Sequence, residues 1–111
     1  MSAGTAWAVL VVSGLFETAW ALALPRTDGF TRLGPSLFAL AAMAVSVYGL
    51  SVATRVLPVG TAYAVWAGIG AIGTVVVGMA VLGEPRTVAR LVCLGLILAG
   101  IVGLKWVGHE A

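Results

Sequence analysis

Residues Ala6 to Leu24 read AWAVLVVSGLFETAWALAL, an apolar run interrupted by two hydroxyls, one glycine and one acid, Glu17. At about 1.5 Å of rise per residue, a helix of this length approaches the roughly 30 Å of hydrocarbon in a bilayer. Glu17 is the only charged side chain at membrane depth in the chain. Such a group costs roughly 2.5–3.5 kcal/mol at the bilayer centre, whereas each Leu, Ile or Val returns only about 0.3–0.6 kcal/mol. The neighbouring aliphatics can carry Glu17 into the membrane, but packing does not reward its presence. The reason for it has to be sought in function.

Outward from this run, the rest of the chain has the same character. Of its 111 residues, 61% are apolar and 9% charged, and the mean hydropathy is +1.13, values outside the range of water-soluble domains. Turn residues and charges fall at regular intervals: Pro25 to Gly29, Arg55 to Pro58, and Gly83 to Arg86. They divide the chain into spans expected at 3–24, 33–54, 59–82 and 87–106, with a polar tail holding Lys105, His109 and Glu110. Each span is expected to be a helix, because lipid offers the backbone no hydrogen-bond partners. The fold expected is therefore an all-α membrane protein, residues 1–111 forming one domain of four transmembrane helices per subunit.

The first run is expected to remain as a span rather than to be a cleaved leader. It lacks a basic start, exceeds the usual leader length and is followed by Pro25-Arg26 instead of a small-residue cleavage site. Cys93 lies within the last run and reads as a small hydrophobe. An enzyme is not expected, since neither a nucleophile triad nor metal-ligand spacing is present and His109 falls in the tail. No cofactor and no metal are expected. The basic residues are scattered singly over short loops, so nucleic acid is not expected as a partner.

Arg26, Arg32, Arg86 and Arg90 lie on one side of the membrane in this scheme, and Arg55, Lys105 and the N-terminal amine on the other. So small a bias allows insertion in either direction. Two oppositely inserted copies would supply, from identical subunits, the inverted repeat that larger transporters encode in one chain. Four helices alone hardly enclose a solvated path, which also argues for an oligomer. Gly95, Ala99, Gly100 and Gly103 form a strip of small residues on the last span, with Gly95 and Gly100 the candidates for the dimer interface. Gly68, Gly70 and Gly73 in the third span serve either close packing or bending.

At helical spacing Ser13, Gly14, Glu17, Trp20, Ala21 and Leu24 share a face of the first span. Tyr63, Trp66 and Gly70 form a stripe on the third, and Ser46 lies midway along the second with Ala39, Ala42, Met43 and Gly49 around it. A pocket built from these faces would contain one carboxylate per subunit, aromatic walls and a few donors, which suits an organic cation. Interfacial anchoring is the competing reading for Trp20, Tyr63 and Trp66, and the only one taken for Trp7 and Trp106.

Several segments carry a resemblance that covers essentially the whole chain. They are GLFExxWA (Gly14 to Ala21), GFTRLGPS (Gly29 to Ser36), LPVGTAYAVWAGIGAIG (Leu57 to Gly73) and the GEP turn (Gly83 to Pro85). Together they resemble the small multidrug resistance family. Trp20, three residues after the acid, and the TAYAVWxGIGAxG run are similar to its guanidinium exporter branch. The resemblance implies an antiparallel, dual-topology homodimer in the cell inner membrane, exchanging protons for a cation by alternating access. It implies that Glu17 binds proton and substrate in turn, and that Trp20 and Ser46 orient its carboxylate. Tyr63 and Trp66 would line the pocket and complete the network, and Gly14 would admit a neighbouring helix or substrate. The branch usually carries a Lys where this chain has Pro25.

The residue chemistry agrees without the family. A carboxylate removed from water needs a proton or a counter-cation, and guanidinium matches it in bidentate fashion. Proton and cation compete for one site, which couples their movements if only loaded forms change orientation. Two such acids in a dimer would titrate as a pair. Two other readings compete: an exporter of quaternary ammonium or lipophilic cations, and a non-transporting membrane subunit or assembly factor.

Overall fold

The computed structural model describes residues 1–108, and the expected tail residues His109 and Glu110 lie outside them. Its four long helices are α1 (Ala3–Ala23), α2 (Leu33–Ala53), α3 (Val59–Val81) and α4 (Val88–Gly108), all long and apolar enough to cross a membrane. At about 1.5 Å per residue they extend over roughly 30 Å, the thickness of the hydrocarbon they would cross.

Local chemistry sets the helix ends. Ser2 caps α1, its Oγ accepting from Thr5 N at 3.1 Å. After Ala23 the chain tightens into a 3-10 turn, Leu24–Thr27, with Pro25 in its first turn, where a missing N–H goes unused. Thr27 then organises the reversal: its hydroxyl donates to Leu24 O at 2.7 Å and accepts from Phe30 N at 3.3 Å. Asp28, Gly29 and Phe30 all take positive φ, of 49°, 69° and 65°. Gly83, at φ 72°, closes α3 and allows Glu84 N to reach Gly78 O at 3.1 Å. Beside it, Glu84 pairs with Arg90 at 3.1 Å.

Helix α1 lies at the centre, packed on α2 and α3, while α4 lies against α3. The buried stripe of α1 consists of Ala6, Leu10, Ser13, Gly14 and Thr18; that of α2 is Ser36, Ala39, Ala42, Ser46, Gly49 and Ala53. Small residues dominate because helix association in lipid depends on close backbone approach rather than on burying large apolar groups. A compact cluster of Leu10, Ala53, Ala62, Val65 and Trp66 holds one end of the assembly. Large apolar side chains instead point outward, among them Leu33, Val81 and Val88 at 74%, 74% and 76% exposure. The four helices form a slab measuring 45 × 34 × 17 Å.

Candidate functional site

Helices α1 and α3 meet through reciprocal small residues around Glu17. A Cβ on Gly14 would lie 2.7 Å from Ile69 Cγ2 and 3.3 Å from Trp66 O, so the neighbour admitted by Gly14 within the chain is helix α3. One turn on, the Glu17 side chain lies over Gly70, where a Cβ would be 2.6 Å from the carboxyl carbon and 2.9 Å from Glu17 Cβ. Gly73 receives Thr18 in the same manner, and Thr18 Oγ1 donates to Gly70 O at 3.1 Å. Gly68 faces α4 instead, where a Cβ would lie 2.9 Å from Ile101 Cδ1. All three glycines are close-packing positions here, and α3 runs unbroken from Val59 to Val81.

A second polar chain joins three helices. Trp66 Nε1 donates to Ser46 Oγ at 3.0 Å, and Ser46 Oγ donates to Ser13 O at 2.7 Å. Both hydrogen-bonding functions of Ser46 are thus engaged away from Glu17. The Ser13 hydroxyl turns back to Val9 O at 2.7 Å, its side chain filling the space left by Gly49. Tyr63 stacks near Trp66, with ring centroids 5.7 Å apart at 41°, but is itself 59% exposed.

Two polar atoms of the sequence-predicted site are buried without a partner among the described residues: Glu17 Oε2 and Trp20 Nε1. They sit three residues apart on α1, an acceptor and a donor on the same part of one helix. The structure thus brings Glu17 onto Gly70 and joins Ser46, Trp66 and Tyr63, but makes no hydrogen bond from Trp20 or Ser46 to the carboxyl. Sequence reasoning assigned no role to Thr18 and placed Ser13 only on the shared face. A signal for Thr18 was present in its position four residues beyond Gly14 and beside the acid, on the face turned toward α3.

On α4, Gly95, Gly100 and Gly103 have open space where a Cβ would be built. No described residue of this helix is buried. Its far end is tied to α1 by Lys105 Nζ, 5.5 Å from the centroid of the Trp7 ring.

A family model described as Small Multidrug Resistance protein matches residues 5–97, spanning the site, nearly all of α1, all of α2 and α3, and the N-terminal part of α4. The chain belongs to the small multidrug resistance family. A protein of Citrobacter freundii named guanidinium exporter is 57% identical over 103 residues, covering 93% of this chain and 98% of its own length. A Yersinia pseudotuberculosis protein of that name is 56% identical over 100 residues, covering 90% and 96%. One from Salmonella typhimurium strain LT2 is 52% identical over 103 residues, covering 93% and 98%. Within the small multidrug resistance family, the chain groups with the branch that these relatives represent, and it is a multi-pass membrane protein.

Proposed function

We propose that this protein is a proton-coupled antiporter that exports guanidinium and small guanidinyl cations across the inner membrane by alternating access, with proton and substrate alternating on Glu17. The observation that carries this reading is the buried Glu17 Oε2, without a hydrogen-bond partner among the described residues. A carboxylate at membrane depth without a fixed donor or cation is costly, because desolvation is uncompensated. An exchangeable proton or cation removes that cost, and no described residue is bonded to Glu17 Oε2 to remove it. Guanidinium is planar and offers paired N–H donors to a carboxylate, and the names of the relatives at 52–57% identity point to the same substrate.

Trp20 Nε1 is the nearest free donor along α1. In the loaded state it would turn to the carboxyl, while the bond from Trp66 to Ser46 braces the pocket wall. The working unit is an antiparallel homodimer with dual topology. The thin slab, the exposed Tyr63 and the unfilled glycine strip on α4 all leave faces for a second copy to cover.

Reconstituted protein on a solid-supported membrane should give capacitive currents with guanidinium and none with urea. Glu17→Gln should abolish them. Lowering the pH on both sides should raise the apparent KM for guanidinium, since the protonated acid cannot pair with a cation. Currents with a tetraphenyl cation and none with guanidinium would instead establish the lipophilic-cation reading, and proton-driven flux that survives in Glu17→Gln would end the mechanism.

A further inference from the structure

Among the described residues no donor holds the Glu17 carboxyl, yet it occupies a defined place over Gly70. Its seat must therefore come from the register of α1 on α3. Among the described residues, one side-chain hydrogen bond runs directly between these helices, from Thr18 Oγ1 to Gly70 O at 3.1 Å. Thr18 is 9% exposed, and its methyl and Cβ fill the space above Gly73, each 3.2 Å from where a Cβ would lie. Neighbouring residues of α1 thus grip one residue of α3 from two sides: Glu17 lies against the Gly70 Cα, and Thr18 bonds its carbonyl.

That carbonyl also accepts from Thr74 Oγ1 at 2.7 Å. A threonine hydroxyl turned back onto the carbonyl four residues earlier competes with the helix's own bond and opens the carbonyl outward, here toward α1. We propose that Thr18 is a positioning residue for ion exchange, its bond to the Gly70 carbonyl fixing the register that seats the Glu17 carboxyl. The consequence for transport rests on Glu17 being the exchange site; the seating itself does not.

Two variants separate the hydroxyl from the shape of the side chain. Thr18→Val keeps the shape and loses the donor, while Thr18→Ser keeps the donor and loses the methyl. A role in bonding makes the Val variant the defective one, and a role in packing reverses the order. Two measurements apply: the guanidinium KM in proteoliposomes, and the rate at which a lipid-soluble carbodiimide modifies Glu17, followed by intact mass with Glu17→Gln as the blank. Thr18→Val should raise the KM and the modification rate roughly 3- to 20-fold, the worth of a hydrogen bond between membrane helices, with Thr18→Ser within about twofold of the parent. A parent-like modification rate in Thr18→Val, or a greater defect in Thr18→Ser, overturns the proposal. If the modification rates follow the expected order but the parent protein carries no guanidinium current, the seating stands and the transport reading fails.

Discussion

Gly70 does two things that a residue with a side chain cannot do together: its Cα leaves room for the Glu17 carboxyl, and its carbonyl takes hydroxyls from two threonines. Gly70→Ala would place a methyl 2.9 Å from Glu17 Cβ. That contact cannot be relieved by swinging the carboxyl aside, so α1 has to move. Overpacking of this kind costs about 1–3 kcal/mol, and guanidinium affinity measured by calorimetry should fall accordingly. Gly34→Ala, where the added methyl meets open space, should leave affinity unchanged. Ser46 differs from Trp66 in what its loss leaves behind. Ser46→Ala strands the Trp66 indole N–H in a buried position, whereas Trp66→Phe leaves Ser46 bonded to Ser13 O. The Ser46 variant should lose about 1–2 kcal/mol more hydrogen-bond stability, and a double-mutant cycle in mixed micelles should show coupling between the two. Glu17 was legible in the sequence because its insertion cost stands out against the aliphatics around it. Thr18 was marked only by its place beside the acid and four residues beyond Gly14. The bonding of neither Thr18 nor Ser13 could be read, since a hydroxyl in a membrane helix usually satisfies itself on its own backbone, as Ser13 does.

At the scale of the elements, spans expected at 3–24, 33–54, 59–82 and 87–106 stand beside helices Ala3–Ala23, Leu33–Ala53, Val59–Val81 and Val88–Gly108. Hydropathy locates such helices because a bilayer leaves one solution for the backbone. The sequence pattern did not show how the turns are made. Pro25 reads as a stop, yet it opens a 3-10 turn, since proline fits a first turn and Thr27 supplies the closing bonds. The angle between helices is also invisible in periodicity. It follows from which glycine faces which side chain, and only in the folded chain does Gly49 face Ser13 and Gly68 face Ile101. The α3 terminus carries a prediction of its own. Gly83 has φ 72° and positions Glu84 N on Gly78 O, so Gly83→Ala should cost about 1–2 kcal/mol, read as a lower Tm in detergent with the guanidinium KM unaltered.

At the scale of the whole molecule, two features bear on assembly: an unfilled strip on α4 and a nearly balanced charge distribution. Gly95 and Gly100 have open space around them, and small residues matter in lipid only where another backbone comes close. Gly95→Leu with Gly100→Leu should therefore weaken self-association, measured as loss of energy transfer between labelled protomers, while leaving the fold of each protomer intact. The charges decide which way each protomer points. Arg26, Arg32, Arg86 and Arg90 lie at one end and Arg55 and Lys105 at the other, and orientation follows the excess of Lys and Arg in short loops. Replacing Arg86 and Arg90 with Ala while adding Lys next to Arg55 should drive insertion in one direction. Adding Lys next to Arg26 should drive it in the other. If the transporter is an antiparallel pair, each biased variant alone should lose guanidinium export in whole cells, and co-expression of the two should restore it. Glu17, Thr18 and Gly70 are untouched in both variants, so recovery would depend on opposed orientation alone, and full export by either variant by itself would rule out the antiparallel pair as the working unit.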